Sequence, residues 1–207
     1  MTLNIFFLRH GETVASKTDD FCGTSDVELT AEGEIMAKDF AVAYSSVSWK
    51  AIFVSPMGRT IATAKPLCDL VNMEMQLRDG LKEIDFGKWE GKTPAEVNRE
   101  YHDEYVRWQS EPRWNAPPDG ERAIDIARRS SRVIEEIETN YPDGNVLVVA
   151  HKATIRIILC SLLGIDVGRY RDRISMPVAA VSVLEFCQQG PRLLKLSDRA
   201  HLNQSTV

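Results

Sequence analysis

The sequence predicts an α/β fold, with a mostly parallel central sheet flanked by helices in three layers. Three observations predict it. Short, nearly continuous apolar runs recur at residues 3–8, 51–54 and 145–150, the pattern of strands buried on both faces. Each run is followed by a stretch with helical spacing, as in β-α units. Each also stops abruptly at residues capable of chemistry: Arg9-His10, Ser55-Pro56 and His151-Lys152.

Residues 3–8 form the first strand, and the chain then presents Arg9, His10, Gly11 and Glu12 at the edge where open α/β sheets bind ligands. A cation beside an imidazole there points to chemistry on an anion, most simply a phosphate. A polar loop over 16–28 leads to a helix over 31–44. Thr30 is its N-cap, and Ile35, Met36, Phe40, Val42 and Ala43 stand at helical spacing. The second strand, 51–54, ends at Ser55 as N-cap and Pro56 as first helical residue. That helix runs toward Val71 with a kink at Pro66. Residues 77–91 are irregular and acidic. Thr93-Pro94-Ala95-Glu96 reads as a capping box opening a helix toward Trp108. Residues 109–120, with three prolines, are loop. A helix over about 121–139 turns Ile124, Ala127, Val133, Ile134 and Ile137 inward. The Pro142-Asp143-Gly144 turn precedes the third strand, and a helix through Leu163 follows His151. Residues 178–186 and 192–196 are two final strands joined at Gln189-Gly190-Pro191. Without repeat, low-complexity tract or linker, residues 1–207 read as a single domain.

Composition narrows the function. The chain has 207 residues, 43% hydrophobic and 27% charged, as in soluble globular proteins. A formal net charge of -5 argues against broad attraction to nucleic acid or an acidic membrane. Any bound anion therefore needs a local cluster of cations. Cys22, Cys68, Cys160 and Cys187 are widely spaced, which argues against structural zinc and a disulfide framework and fits a reducing compartment. Arg9 comes too early for a signal peptide, and no apolar run is long enough to span a bilayer, so the cytoplasm is the expected location.

In a parallel sheet the three junctions share one edge. Arg59 falls in the first helical turn after the second strand, and Lys152 starts the helix after the third. Cations are mildly unfavourable at helix N-termini unless an anion sits between them. One such residue ordinarily points into water; three junctions with the same anomaly favour an anion site. His102 and His201 carry the ordinary reading, as surface positions. Glu83, Asp85 and Glu90 are all candidate acids, against the ordinary reading of a solvated acidic loop.

These residues carry a resemblance. Leu8-Arg9-His10-Gly11-Glu12-Thr13 resembles the RHG signature of the histidine phosphatase superfamily, which includes the cofactor-dependent phosphoglycerate mutases. Phe21-Cys22-Gly23-Thr24 with Leu29-Thr30-Ala31-Glu32-Gly33 is similar to the family's next segment. Ser55-Pro56-Met57-Gly58-Arg59-Thr60 with Thr63-Ala64 is similar to its second arginine motif. Residues 81–91 resemble the segment holding its acid, and Val148-Val149-Ala150-His151 the motif of its second histidine. The five motifs stand in the family's order.

The resemblance implies a phosphoglycerate mutase-like fold and a metal-independent phosphatase without cofactor, acting on a small phosphorylated metabolite. It implies that His10 is the nucleophile and that Arg9, Arg59 and His151 surround the phosphoryl oxygens. It picks Glu83 as general acid, a role that needs a pKa raised toward neutrality. Ser16, Cys22, Gly23 and Thr24 then fall among the substrate-binding positions, although Ser16 stands where mutase-like members commonly carry asparagine. Lys152 replaces the usual glycine. It is expected to touch a second anionic group of the substrate, unless it pairs with Glu83 or Asp85; an unchanged KM in Lys152→Ala would count against the contact. Residues 93–122, with Trp108, Trp114, Arg107, Arg113 and Arg122, are expected to cover the site, Arg107 and Arg113 binding substrate. The alternative is a helix face and loop that simply pack their tryptophans.

Only residues 198–207 follow the last strand, without the extended tail of the family's mutases, which favours a phosphatase. The alternatives are a cofactor-dependent phosphoglycerate mutase and a non-catalytic phospholigand-binding module. Nothing on the predicted surface identifies an interface, so monomer and homodimer both stay open.

Overall fold

The strands β1 (Leu3–Arg9), β2 (Trp49–Val54), β3 (Met75–Leu77), β4 (Gly144–Ala150), β5 (Val181–Cys187) and β6 (Gly190–Asp198) form one sheet. Their order is β3-β2-β4-β1-β5-β6 in a computed structural model that describes residues 2–18 and 20–202. β1, β2, β3 and β4 run parallel; β5 is antiparallel to β1, and β6 to β5. Residue 19 of the expected 16–28 loop and residues 203–207 of the tail lie outside the described residues.

Strand periodicity explains the layers. Ile5 and Phe7, Ala51 and Phe53, Val146 and Val148 point to one face, where α6 (Ala123–Asn140) and α7 (Lys152–Leu162) cover them with Ile126, Ile134, Ile137, Ile155 and Leu159. Leu8, Ile52, Val54, Leu147 and Val149 point to the other, under Phe40 of α2 (Ala31–Tyr44) and Ala64 and Leu67 of α3 (Gly58–Val71). Both faces are dry, which is why these runs are continuously apolar. The register pairs Arg9 with Ala150 and aligns Val54 with Val149, so β1, β4 and β2 end side by side.

Several expectations are corrected. Residues 14–18 form a short helix, α1 (Val14–Thr18), because Thr13 and Ser16 cap each other: each side-chain oxygen accepts the other's backbone N–H, at 2.9 and 3.2 Å. α2 has its predicted cap, Thr30 Oγ1 accepting from Gly33 at 3.1 Å, but Ile35, Val42 and Ala43 face outward. Its inner stripe is Gly33, Met36, Ala37, Phe40 and Ala41, whose small residues a hydropathy reading undervalues. Gly33 lies against the loop after β1: a Cβ there would fall 2.2 Å from the Glu12 carbonyl oxygen, and one on Gly11 2.5 Å from that of Gly33. Only paired glycines permit that approach.

Ser55 does not cap α3. The helix begins at Gly58, and the carboxylate of Asp26 accepts the Gly58 N–H at 2.9 Å from across the chain. It then continues through Pro66 to Val71. The capping box at Thr93 is present, but the helix it opens divides at Tyr101 into α4 (Pro94–Glu100) and α5 (His102–Ser110). Short, half-exposed β3 and the four-residue α8 (Tyr170–Arg173) carry no apolar periodicity and escape sequence reading. Among the described residues, no helix is long and apolar enough to cross a membrane.

Candidate active site

The three junctions converge at the carboxyl edge of β1, β2 and β4. His10 follows β1 and is buried; its Nδ1 lies 2.7 Å from the carbonyl oxygen of Gly11. Since a carbonyl only accepts, Nδ1 carries the proton and Nε2 keeps its lone pair. Burial, then the charges of Arg9 and Arg59, hold the ring well below the usual imidazole value, which keeps it neutral. The Gly11 N–H donates to Thr63 Oγ1 at 3.0 Å, and that hydroxyl donates to the Arg59 carbonyl at 2.7 Å. The His10 loop and the first turn of α3 are thus stitched together.

Arg59 is 2% exposed despite its charge. Its Nη2 donates to the Gly23 carbonyl (2.9 Å), its Nη1 to the Ser25 carbonyl (2.8 Å), and its Nε to His151 Nδ1 (3.2 Å). With Nδ1 accepting, His151 carries its proton on Nε2 and donates it to Ser55 Oγ at 2.8 Å. His151 is fully buried; burial, then Arg59, holds it well below the usual imidazole value. Its ring centre lies 5.3 Å from that of His10. Arg9 reaches back to the Met176 carbonyl through Nη1 (2.6 Å).

Glu83 sits on the N-terminus of α7. Oε1 accepts from the N–H groups of Ile84 (3.0 Å) and Thr154 (3.1 Å), and Oε2 from the Ala153 N–H (3.1 Å); the Thr154 hydroxyl, 3.2 Å from Oε1, donates to the Lys82 carbonyl at 2.7 Å. The loop before it is organised by a different carboxylate. Glu90 Oε1 accepts from the N–H groups of Gly23 (2.9 Å), Thr24 (3.0 Å) and Phe86 (3.2 Å), and Oε2 from Ser25 Oγ (2.9 Å). This is the loop whose carbonyls grip Arg59. A Cβ on Gly23 would fall 1.8 Å from the Ile84 carbonyl oxygen, so glycine alone fits between the two segments.

A cavity of about 390 Å³ opens over His10. Of the predicted residues it is lined by Arg9, His10, Arg59, Glu83, Ser16, Cys22 and Lys152. Gly23 lies behind Arg59, and Thr24 borders a neighbouring cavity. His151 is held behind Arg59 instead of on the wall. Burial pushes the Cys22 thiol up. Arg107 and Arg113 are not part of the lining: Arg107 pairs with Glu104 on the outer side of α5, and Arg113 with Asp166 while lying over Trp114. Both long cations had nearer carboxylates to meet. In their place the wall carries Tyr105 and Trp108 of α5, Arg156 of α7, and Tyr170 and Arg171 of α8. Arg156, four residues after Lys152, shares its helix face, a signal the sequence did contain. Arg171 has no such signal. The tryptophans divide: Trp108 both lines the cavity and packs on Phe21, Trp89 and Tyr105, whereas Trp114 is 56% exposed. Among the described residues, no group of three or more His, Cys, Asp or Glu side chains is placed to hold a metal ion.

Comparison with known proteins agrees with this architecture. A model of the histidine phosphatase superfamily (branch 1) matches residues 5–199. Phosphoserine phosphatase 1 of Hydrogenobacter thermophilus is 28% identical over 99% of this chain and 97% of its own length. YhfR of Bacillus stearothermophilus shares the fold with a TM-score of 0.90 at 23% identity, over 97% of this chain and all of its own. Phosphoserine phosphatase of Entamoeba histolytica, solved with 3-phosphoglyceric acid, superposes with a TM-score of 0.87 at 25% identity, over 97% of this chain and 100% of its own.

Proposed function

The chain belongs to the histidine phosphatase superfamily, and on that premise we propose that it hydrolyses small phosphomonoesters through a phosphohistidine formed on His10. One observation carries the reading. His10 presents an unprotonated Nε2, fixed by its Nδ1–H to the Gly11 carbonyl, in a cavity with Arg9 and Arg59 beside it and Glu83 on the wall.

In this reading the Nε2 lone pair attacks phosphorus while the phosphorus–oxygen bond to the alcohol breaks. Glu83 gives its proton to the departing oxygen. Water then attacks the phosphohistidine, Glu83 takes the water's proton, and the phosphorus–nitrogen bond breaks to release inorganic phosphate. Arg9 and Arg59 match the charge on the equatorial oxygens, and preorganised positive charge supplies most of the rate. Arg59 has five N–H groups, three of them engaged by Gly23, Ser25 and His151, so its grip on the fold leaves donors for the substrate. His151 acts by aiming Arg59 and by keeping positive charge off its own ring. Residues 93–122 form the cover that sets the alcohol, through Tyr105 and Trp108 of α5. The cytoplasm is the proposed compartment, on the cysteine usage of the chain.

The test is a trapped reaction with 32P-labelled substrate. Label should attach to the wild type in an acid-labile, alkali-stable form, and His10→Ala should carry none and lose turnover. Release of free phosphate separates a phosphatase from a mutase, which would move phosphate between positions. Turnover without a phosphohistidine would sink the proposal.

A further inference from the structure

The cavity over His10 holds more positive charge than one phosphoryl group needs. Arg9, Arg59, Lys152, Arg156 and Arg171 line it, against Asp20 and Glu83. A phosphate monoester brings up to about two negative charges at neutral pH. In the proposed reaction Arg9 and Arg59 answer that charge, and Arg156 and Arg171 remain for another anionic group of the substrate.

The surplus has a location. Glu83 is held by the Ala153 N–H at 3.1 Å, three residues before Arg156 on the same helix, and Arg156 reaches the Arg171 carbonyl, so Arg156 and Arg171 stand on the side of Glu83. In the proposed reaction Glu83 faces the departing oxygen, so the body of the alcohol extends toward this wall. The fold fixes both guanidiniums without carboxylates. Arg156 donates through Nε to the Ile174 carbonyl and through Nη2 to the Arg171 carbonyl (2.9 Å). The Arg171 guanidinium carbon lies 3.9 Å from the centre of the Trp108 ring, a cation–π stack tying α8 to α5. Among the described residues neither guanidinium has an ion-pair partner, whereas Arg78, Arg113, Arg122 and Arg129 each meet a carboxylate. Burial first, and Arg171 among the nearby charges, pull Arg156 below the usual arginine range. An anion between the two relieves that repulsion.

We propose that Arg156 and Arg171 form a second anion subsite that selects phosphomonoesters whose alcohol bears a carboxylate. The planar guanidinium fork matches a carboxylate edge-on, and the stack on Trp108 occupies the Arg171 face while leaving that edge available. The inference rests on the phosphatase reading of the same cavity.

The experiment compares kcat/KM for O-phosphoserine and O-phosphoethanolamine, which differ by one carboxylate, with p-nitrophenyl phosphate as a reporter of the phosphoryl chemistry. The wild type should favour phosphoserine by roughly tenfold or more, the scale of one charge-assisted contact. Arg171→Met, which keeps an apolar stem on Trp108, should lower the phosphoserine-to-phosphoethanolamine ratio about tenfold, mainly through KM. Arg171→Lys, which keeps the charge and loses the fork, should recover part of it. An unchanged ratio in a folded Arg171→Met protein, or no preference in the wild type, overturns the subsite while p-nitrophenyl phosphate turnover leaves the phosphatase reading standing. Absence of turnover on all three overturns both.

Discussion

Glu90 provides the sharpest test of how the cradle is held, because it touches neither His10 nor the cavity. Its carboxylate gathers the N–H groups of Gly23, Thr24 and Phe86 and the hydroxyl of Ser25 at 2.9 to 3.2 Å. The carbonyls of Gly23 and Ser25 in turn hold Arg59. Hydrogen bonds to a charged acceptor are each worth about 1.5–3 kcal/mol when buried. Glu90 is half-buried, so water replaces part of what is lost. A net loosening of about 2–4 kcal/mol for Glu90→Ala follows, and at about 1.4 kcal/mol per decade it lowers kcat/KM roughly 30- to 700-fold. Glu90→Gln keeps an acceptor oxygen for the N–H groups and should lose about tenfold or less. The assay is p-nitrophenyl phosphate hydrolysis by both variants, alone and combined with Arg59→Met, with Tm recorded for each. If Glu90 acts through Arg59, its removal from the Arg59→Met protein adds little. Fully additive losses in folded proteins would refute the chain from carboxylate to loop to guanidinium.

Three further outcomes follow from the same geometry. Glu83→Gln should slow hydrolysis of alkyl phosphates by about 10²–10⁴-fold and of p-nitrophenyl phosphate far less, because a good leaving group needs no proton; equal losses on both would remove Glu83 from the acid role. His10 and His151 are both held neutral, well below the ordinary value of 6.5. Between that value and their folded values the unfolded chain binds more protons, so stability rises with pH and is lost as pH falls below 6.5. The slope is about 1.4 kcal/mol per pH unit for each ring, and a Tm that stays flat from pH 7.5 to 5.5 would contradict it. Ser55→Ala strands the buried Nε2–H of His151 and should cost about 1–3 kcal/mol of stability by urea denaturation, together with a loss of kcat as Arg59 loses its backing.

What the sequence disclosed depended on whether a residue's partner was near in the chain. The strands that carry the cradle were legible, because a run such as Ile5-Phe6-Phe7-Leu8 can be buried on two faces only inside a sheet. Arg9, His10, Arg59 and His151 were legible too, since strand ends of a parallel sheet converge whatever their separation. Glu90 was visible as an acid, but its work is done on N–H groups more than 60 residues away. Asp26 looked like loop, yet it caps α3 across 32 residues and displaces Ser55 from the capping role that local spacing suggested. Arg107 and Arg113 show the converse error. Their placement in the cover segment drew them to the substrate on paper, while Glu104 and Asp166 hold them outside.

The two halves of the site rest on different kinds of support, and that difference has a chemical consequence. Arg9, His10 and His151 stand at the ends of β1 and β4, which the sheet's own hydrogen bonds hold in register, and Arg59 stands in the first turn of α3, gripped by the Gly23 and Ser25 carbonyls. Trp108 and Arg171 stand on short helices at the periphery, joined by the packing of Phe21, Trp89, Tyr105 and Trp108 and by one cation–π stack. The wall can therefore be remodelled without moving a strand end, whereas Arg9, His10 and His151 cannot shift without disturbing the sheet's ladder. A substitution at Trp108 should therefore change the preference among alcohols measured as ratios of kcat/KM, and Ser55→Ala should lower kcat on every substrate alike.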